Sequence, residues 1–281
     1  MNISRRLLFA SAFWEVARPR TALNAGHLLI RLTNPAIAFD HRSAADWLWC
    51  HNAARQALAD VLGAGRCTVV FAHQWHPIGA AIGEPEAESS TPTFHLFGRW
   101  DGEPVAPGEQ LRLPAQRRVP AGTEELREYD GGLRAALHAL ALERQADPGG
   151  QFEAMSAGST AAKRPLAEPD APVGGAVPEV GAVPEVAVAT PRFTAGAHHT
   201  VLSTALPSAS DGPGLTPGHL LALAGSLQGL TERRGVSGLS CVVPEPGNGP
   251  LQVHAMGRSA GESVNPMQEF LDLPEVSQAL L

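Results

Sequence analysis

Lysine is almost absent from this 281-residue chain: Lys163 is the only one, and arginine supplies the rest of the 21 basic residues. Set against 28 acidic residues, they leave a net charge of −7 and no basic patch, which argues against nucleic acid or an anionic membrane surface as a partner. Cysteine is scarce as well. Cys50, Cys67 and Cys241 include no Cys-x-x-Cys pair and cannot build a disulfide framework, so a reducing, cytoplasmic setting is expected. No window approaches the ~18–20 unbroken apolar residues of a membrane span. Arg5-Arg6 followed by Leu7 to Trp14 imitates a signal peptide, but Glu15 interrupts the run and the segment reads as a first β-strand. Aromatics make up only 5% of the chain, and all five tryptophans (Trp14, Trp47, Trp49, Trp75, Trp100) fall in its first half.

Large apolar residues thin out from about Asp147 to Thr190, where Ala, Gly, Pro, Glu and Val dominate. Within this stretch Gly175-Ala-Val-Pro-Glu-Val180 is repeated at once as Gly181-Ala-Val-Pro-Glu-Val186. Such a tract buries too little surface to offset its ordering entropy, and we read 147–191 as a linker between units at 1–146 and 192–281.

The flanking halves resemble each other. His95-Leu-Phe-Gly98-Arg99-Trp-Asp-Gly102-Glu103-Pro-Val105-Ala-Pro107 and His254-Ala-Met-Gly257-Arg258-Ser-Ala-Gly261-Glu262-Ser-Val264-Asn-Pro266 share seven identities at identical spacing. Upstream, Arg66-Cys67-Thr-Val-Val70 echoes Ser240-Cys241-Val-Val243, and the segment holding His27 can be laid over the one holding His199. Aligning the cysteines puts a 15-residue insertion between Phe71 and Ser90. The pattern predicts, for each half, a strand near His27–Leu32 or His199–Thr204, a helix, a β-branched strand at Cys67–Phe71 or Cys241–Val243, and a strand bearing the last histidine. Ser43 is the expected cap of the first helix; Thr216, with Pro217 next, opens the second, which runs to about Arg234. A further helix is expected over Glu124–Gln145 and a short one near Met267–Leu271, making the fold α+β.

Gly26-His27-Leu-Leu-Ile30, Cys67–Phe71 and Thr91-Pro-Thr93-Phe-His95-Leu-Phe-Gly98-Arg99 together resemble the histidine-triad (HIT) superfamily of nucleotide hydrolases and transferases. The tandem arrangement is similar to its galactose-1-phosphate uridylyltransferase and dinucleoside-tetraphosphate phosphorylase branches. That resemblance implies an intramolecular pseudo-dimer, hence a monomeric chain, with a small-molecule ligand of nucleotide type. In the family's His-x-His-x-His strand the middle histidine attacks phosphorus. Here the three positions hold Thr91, Thr93 and His95, and in the second half Pro250, Gln252 and His254. Neither half keeps the nucleophile: a threonine hydroxyl would need strong activation, and a glutamine amide cannot serve.

What remains suits other chemistry. Alternation along the strand puts Thr91, Thr93 and His95 on one face, with His95 as acid–base or oxyanion donor and Thr93 as an orienting hydroxyl. His27, Thr91 and Arg99 are candidate ligand contacts, and Trp75 and Trp100 candidate aromatic walls. The alternatives are packing for the histidines, and a structural clasp of Arg99 with Glu103, repeated as Arg258 with Glu262. His73-x-x-His76, joined by His95, His27 or Cys50-His51, could instead hold zinc; otherwise no cofactor is expected. The reading is thus a diverged HIT-like enzyme for a nucleotide or other small polar metabolite, working without a phosphohistidine and suited to specialised-metabolite biosynthesis. A catalytically inactive nucleotide-binding or scaffold protein, and a metal-dependent enzyme using His73, His76 and His95, stand as alternatives.

Overall fold

The computed structural model describes residues 6–75, 82–86, 92–146, 184–204, 214–245, 250–274 and 276–277. Among these residues nine strands form one antiparallel sheet. In chain order they are β1 (Leu7–Ala10), β2 (Trp14–Ala17), β3 (His27–Leu32), β4 (Arg66–His73), β5 (Thr93–Arg99), β6 (Val186–Ala189), β7 (His199–Thr204), β8 (Gly238–Pro244) and β9 (Leu251–Arg258). Their order across the sheet is β1-β2-β3-β5-β4-β8-β9-β7-β6. The helices are α1 (His41–Leu62), α2 (Pro107–Leu111), α3 (Thr123–Ala146), α4 (Pro217–Arg234) and α5 (Pro266–Leu271). The fold is therefore α+β around a large antiparallel sheet, and no helix among the described residues is long and apolar enough to cross a membrane.

Local chemistry sets the helix ends. The first cap is Asp40 rather than Ser43: the Asp40 carboxylate accepts from the Ser43 amide, and the Ser43 hydroxyl accepts from the Asp40 amide at 2.9 Å. Ser43 is thus the third helical residue of a capping box, which satisfies two otherwise orphaned amides. Thr216 caps α4 as expected, with Pro217 at its first position. Gly63 and Gly235 end α1 and α4 in left-handed conformations, at φ 71° and 63°.

Strand alternation divides the sheet into two faces. Leu28, Ile30, Cys67, Val69 and Leu96 point toward α1 and α3, and Leu239, Cys241, Val253 and Ala255 toward α4. Burying one such aliphatic side chain contributes about 1.5–3 kcal/mol. Trp14, fully buried among them, donates its indole N–H to the Ser43 carbonyl at 2.8 Å. The opposite face carries Val70, Phe97, Val242 and Met256 beneath α2 and α5, in one cluster drawn from both halves. The sections 1–146 and 192–281 thus share a sheet and a core.

At the centre β4 pairs with β8, and Val70 faces Val242. Outward from these residues, Val70 pairs with His95 and His95 with Leu29; on the other side Val242 pairs with His254 and His254 with Val201. Val70 lies 43 residues after His27, and Val242 lies 43 after His199. Cys67 therefore corresponds in register to Leu239, not to Cys241, and the alignment of the two cysteines is two residues out. Val70 to His95 is 25 residues and Val242 to His254 is 12, so the insertion is 13 residues, not 15.

Two further corrections follow. The expected linker 147–191 is not all linker, since Val186–Ala189 forms β6 against β7; alternating valines suit an extended strand. The first hexapeptide copy and residues 181–183 lie outside the described residues. The helix α2 was not anticipated, although its Pro107 is the last residue of the shared motif and opens it just as Pro266 opens α5.

Candidate functional site

Two histidine pairs stand on the face opposite α1, α3 and α4. In the first half, the Leu23 amide donates to His27 Nδ1 at 3.2 Å, and His27 Nε2 lies 3.0 Å from His95 Nδ1. An amide can only donate, so His27 Nδ1 accepts, and its single ring proton sits on Nε2 and is given to His95. His95 then carries its own proton on Nε2, which has no hydrogen-bond partner among the described residues. In the second half, the Ala195 amide donates to His199 Nδ1 at 3.0 Å, and His199 Nε2 lies 3.2 Å from His254 Nδ1. Both donating amides belong to the residue four before the first histidine, a spacing visible in the sequence once the strands are known.

Burial decides the charge of these rings. Desolvation pushes His95 down to about 3 and, with His254 nearby, His199 down to about 4. His27 is held well below its ordinary value, first by desolvation and then by His95, Arg18 and Arg118. All three are neutral imidazoles at neutral pH, so His95 offers an N–H hydrogen bond rather than an acidic imidazolium.

The second layer holds this geometry. The Arg18 guanidinium, 3% exposed, bonds the Asp130 carboxylate on α3 at 2.7 Å and the carbonyls of Ala25 and His27 at 2.7 and 2.8 Å. Nothing in the sequence pattern singled out Arg18. The His27 ring lies 4.2 Å from that of Phe97. In the second half Phe270 of α5 packs its ring 5.1 Å from His254 and 5.3 Å from His199. Its counterpart, four residues after the motif proline, is Leu111, which leaves the first pair with a smaller covering side chain. Counting four residues past Pro107 and Pro266 would have found both.

The remaining expected residues scatter. Thr93 is half-buried on the same face as His95, paired with Arg31 across the strands, whereas Thr91 and His76 lie outside the described residues. His27, expected at the ligand, is 1% exposed with both ring nitrogens engaged, by the Leu23 amide and by His95. Arg99 ion-pairs with Glu103, and Arg258 with Glu262, which makes the clasp their arrangement in both halves. Trp100 packs on the Gly26 backbone and helps line a cleft of about 300 Å³ with Gly63, Gly65, Arg66, Arg99 and Asp101. Trp75, expected beside it, is carried to the second half, where the Arg258 guanidinium lies 4.9 Å from its ring centre. Strand parity separates two of the candidate zinc ligands: His73 pairs with Leu239 and faces the helices, on the opposite side of the sheet from His95. Among the described residues no group of three metal-ligating side chains assembles. Cys50 and His51 sit on α1, where burial raises the thiol to about 12 and lowers the imidazole to about 4.

No family model matches this chain, and no curated protein matches it. Among solved structures it is similar to a HIT-like protein involved in cell-cycle regulation from Bartonella henselae, crystallised with an unknown ligand. The identity is 16%, over 46% of this chain and 85% of that one, with a TM-score of 0.31.

Proposed function

We propose that the chain is two HIT-like units joined in tandem as a single-chain pseudo-dimer, acting as a monomer on a nucleotide or another small polar metabolite. The observation that carries this reading is the directed relay from the Leu23 amide through His27 to His95, which presents a neutral His95 N–H on the sheet face. A fixed neutral donor stabilises an oxyanion without first losing a proton. Thr93 stands two residues along the same face, so it orients a ligand hydroxyl or water beside that donor. No phosphohistidine forms, because Thr93 and Gln252 occupy the nucleophile positions. The first pair is the working one, since Phe270 covers the second.

A panel of nucleotides and sugar nucleotides in a thermal-shift experiment tests this. A ligand at ~100 times its dissociation constant stabilises the fold by ~2.7 kcal/mol. The shift should vanish in His95→Ala and persist in His254→Ala, with circular dichroism confirming that both variants fold. No shift with any nucleotide would remove the nucleotide reading.

The 6% exposure of His95 favours a second reading, in which the fold binds its ligand or a partner without turnover. In that case the stabilising ligand is recovered chemically unchanged after prolonged incubation.

A further inference from the structure

Glu84 comes from the insertion that only the first half possesses, yet its side chain belongs to the second half. Residues 82–86 run as a strap between α2 and α5. The Gly83 amide donates to the Leu111 carbonyl at 2.8 Å, Asn265 donates to the Ile82 carbonyl at 2.7 Å, and Arg118 donates to the Glu84 carbonyl at 2.7 Å. Gly83 is obligatory at this crossing: φ is 90°, and a Cβ there would stand 2.5 Å from that of Met267. The strap delivers the Glu84 carboxylate, 4% exposed, to Arg258 Nη1 at 2.6 Å and to the Ser240 hydroxyl. Arg258 Nη1 also donates to Ser240 Oγ at 3.0 Å, and its guanidinium lies over Trp75.

Glu84 is surplus to the structural pairing. Glu262 already takes the Nε and Nη2 edge of Arg258, as Glu103 takes Arg99 in the first half. The edge left over, Nη1, meets Ser240, and these two groups converge on one carboxylate oxygen. The other oxygen, Oε2, is buried without a hydrogen bond of good geometry among the described residues, although the Trp75 side chain acts on the carboxyl. Burial raises the Glu84 carboxyl above its ordinary range despite the opposing pull of Arg258, Ser240 and Trp75. The position also lies within the second histidine face, because Ser240 pairs with Met256, and Met256 with His199.

We infer that Ser240 and Arg258, with Trp75 over the guanidinium, form a small-oxyanion site that Glu84 fills as an intramolecular stand-in for a carboxylate or phosphate group. The first half's insertion thereby plugs the second half's ligand face, and the two faces are unequal by construction. This goes beyond the function proposed for His95 and stands whether or not the first pair binds a nucleotide.

Truncating the stand-in while leaving its cradle intact is the test. Glu84→Ala is titrated with formate, acetate and inorganic phosphate, against sodium chloride at equal ionic strength. The expected result is a saturable rise in Tm of roughly 2–4 °C for the better anion. The rise should be absent in the wild-type chain and smaller in Glu84→Ala/Ser240→Ala. Formate and acetate acting alone identify a carboxylate site, and phosphate acting alone a phosphate site. A Glu84→Ala protein that responds to all of these salts as it does to chloride overturns the proposal. If that variant folds only when formate or phosphate is present, the rescue supports it. If it folds in none of them, Glu84→Gln decides, because it keeps the strap's shape without the charge: a larger anion response than wild type supports the site, and an equal response overturns it.

Discussion

His27 Nε2 stands 3.0 Å from His95 Nδ1, and the Leu23 amide at the far nitrogen of His27 gives that bond one direction only. The same three groups recur as the Ala195 amide, His199 and His254. In both places one imidazole is spent on setting the tautomer of another. The arrangement resembles the way a metal-bound or catalytic histidine is oriented by a partner behind it, with imidazole in place of the usual carboxylate. A carboxylate there would favour imidazolium; a neutral imidazole does not, and His95 stays an uncharged donor.

Acid should expose this. An unfolded histidine takes up a proton near pH 6.5, whereas His95 in the fold resists until about pH 3. Protons therefore bind the unfolded chain first, and stability falls as pH drops from 6.5 toward 3. Each such histidine contributes a slope of at most about 1.4 kcal/mol per pH unit. The raised carboxyls of Glu84 and Glu103 act in the opposite sense, but equally in wild type and variant. The Tm of wild type minus that of His95→Asn, followed from pH 7 to pH 4.5, should decline steadily. Parallel curves would mean that His95 is not held neutral.

Arg18 should prove the most costly single charge to lose. Arg18→Met leaves the Asp130 carboxylate uncompensated and releases the carbonyls of Ala25 and His27. Breaking a buried pair from one side costs about 3–5 kcal/mol, measurable by urea unfolding. Adding Asp130→Leu should recover part of that loss, since the stranded charge is gone. A double variant no more stable than Arg18→Met would locate the whole effect in the two carbonyls.

Two glycines separate conformational from steric demand. Gly63 has φ 71° and open space where a side chain would go, so Gly63→Ala should cost only about 1 kcal/mol, the penalty of the left-handed conformation. At Gly26 a Cβ would stand 2.5 Å from the Gly98 carbonyl oxygen and 2.8 Å from the Trp100 ring. Gly26→Ala must push β3 away from β5 next to His27, at about 3 kcal/mol. Equal losses in the two variants would contradict the close approach of the strands.

The strands and long helices were legible because their signals are local. The overlay of the two halves put strands near His27–Leu32 and His199–Thr204, where the structure has them, and the Thr216-Pro217 start of α4 follows from capping chemistry alone. So did the clasps, since Arg99 and Glu103, like Arg258 and Glu262, are close along the chain. Register was less accessible: a two-residue slip keeps every side chain on its face, so Cys67 and Cys241 could be aligned wrongly without disturbing the hydrophobic pattern. Strand parity across neighbours separated His73 from His95, which spacing alone could not. The sequence by itself determined which segments are strands and helices and which histidines recur, because capping and helical spacing act between near neighbours and a repeat is read along the chain without knowing where it folds. Only the tertiary structure decided that Arg18 braces His27, that Leu23 sets the proton on His95, and that Glu84 reaches Arg258. Those contacts join residues from 4 to 174 positions apart, and which of them meet is settled by the order of strands across the sheet.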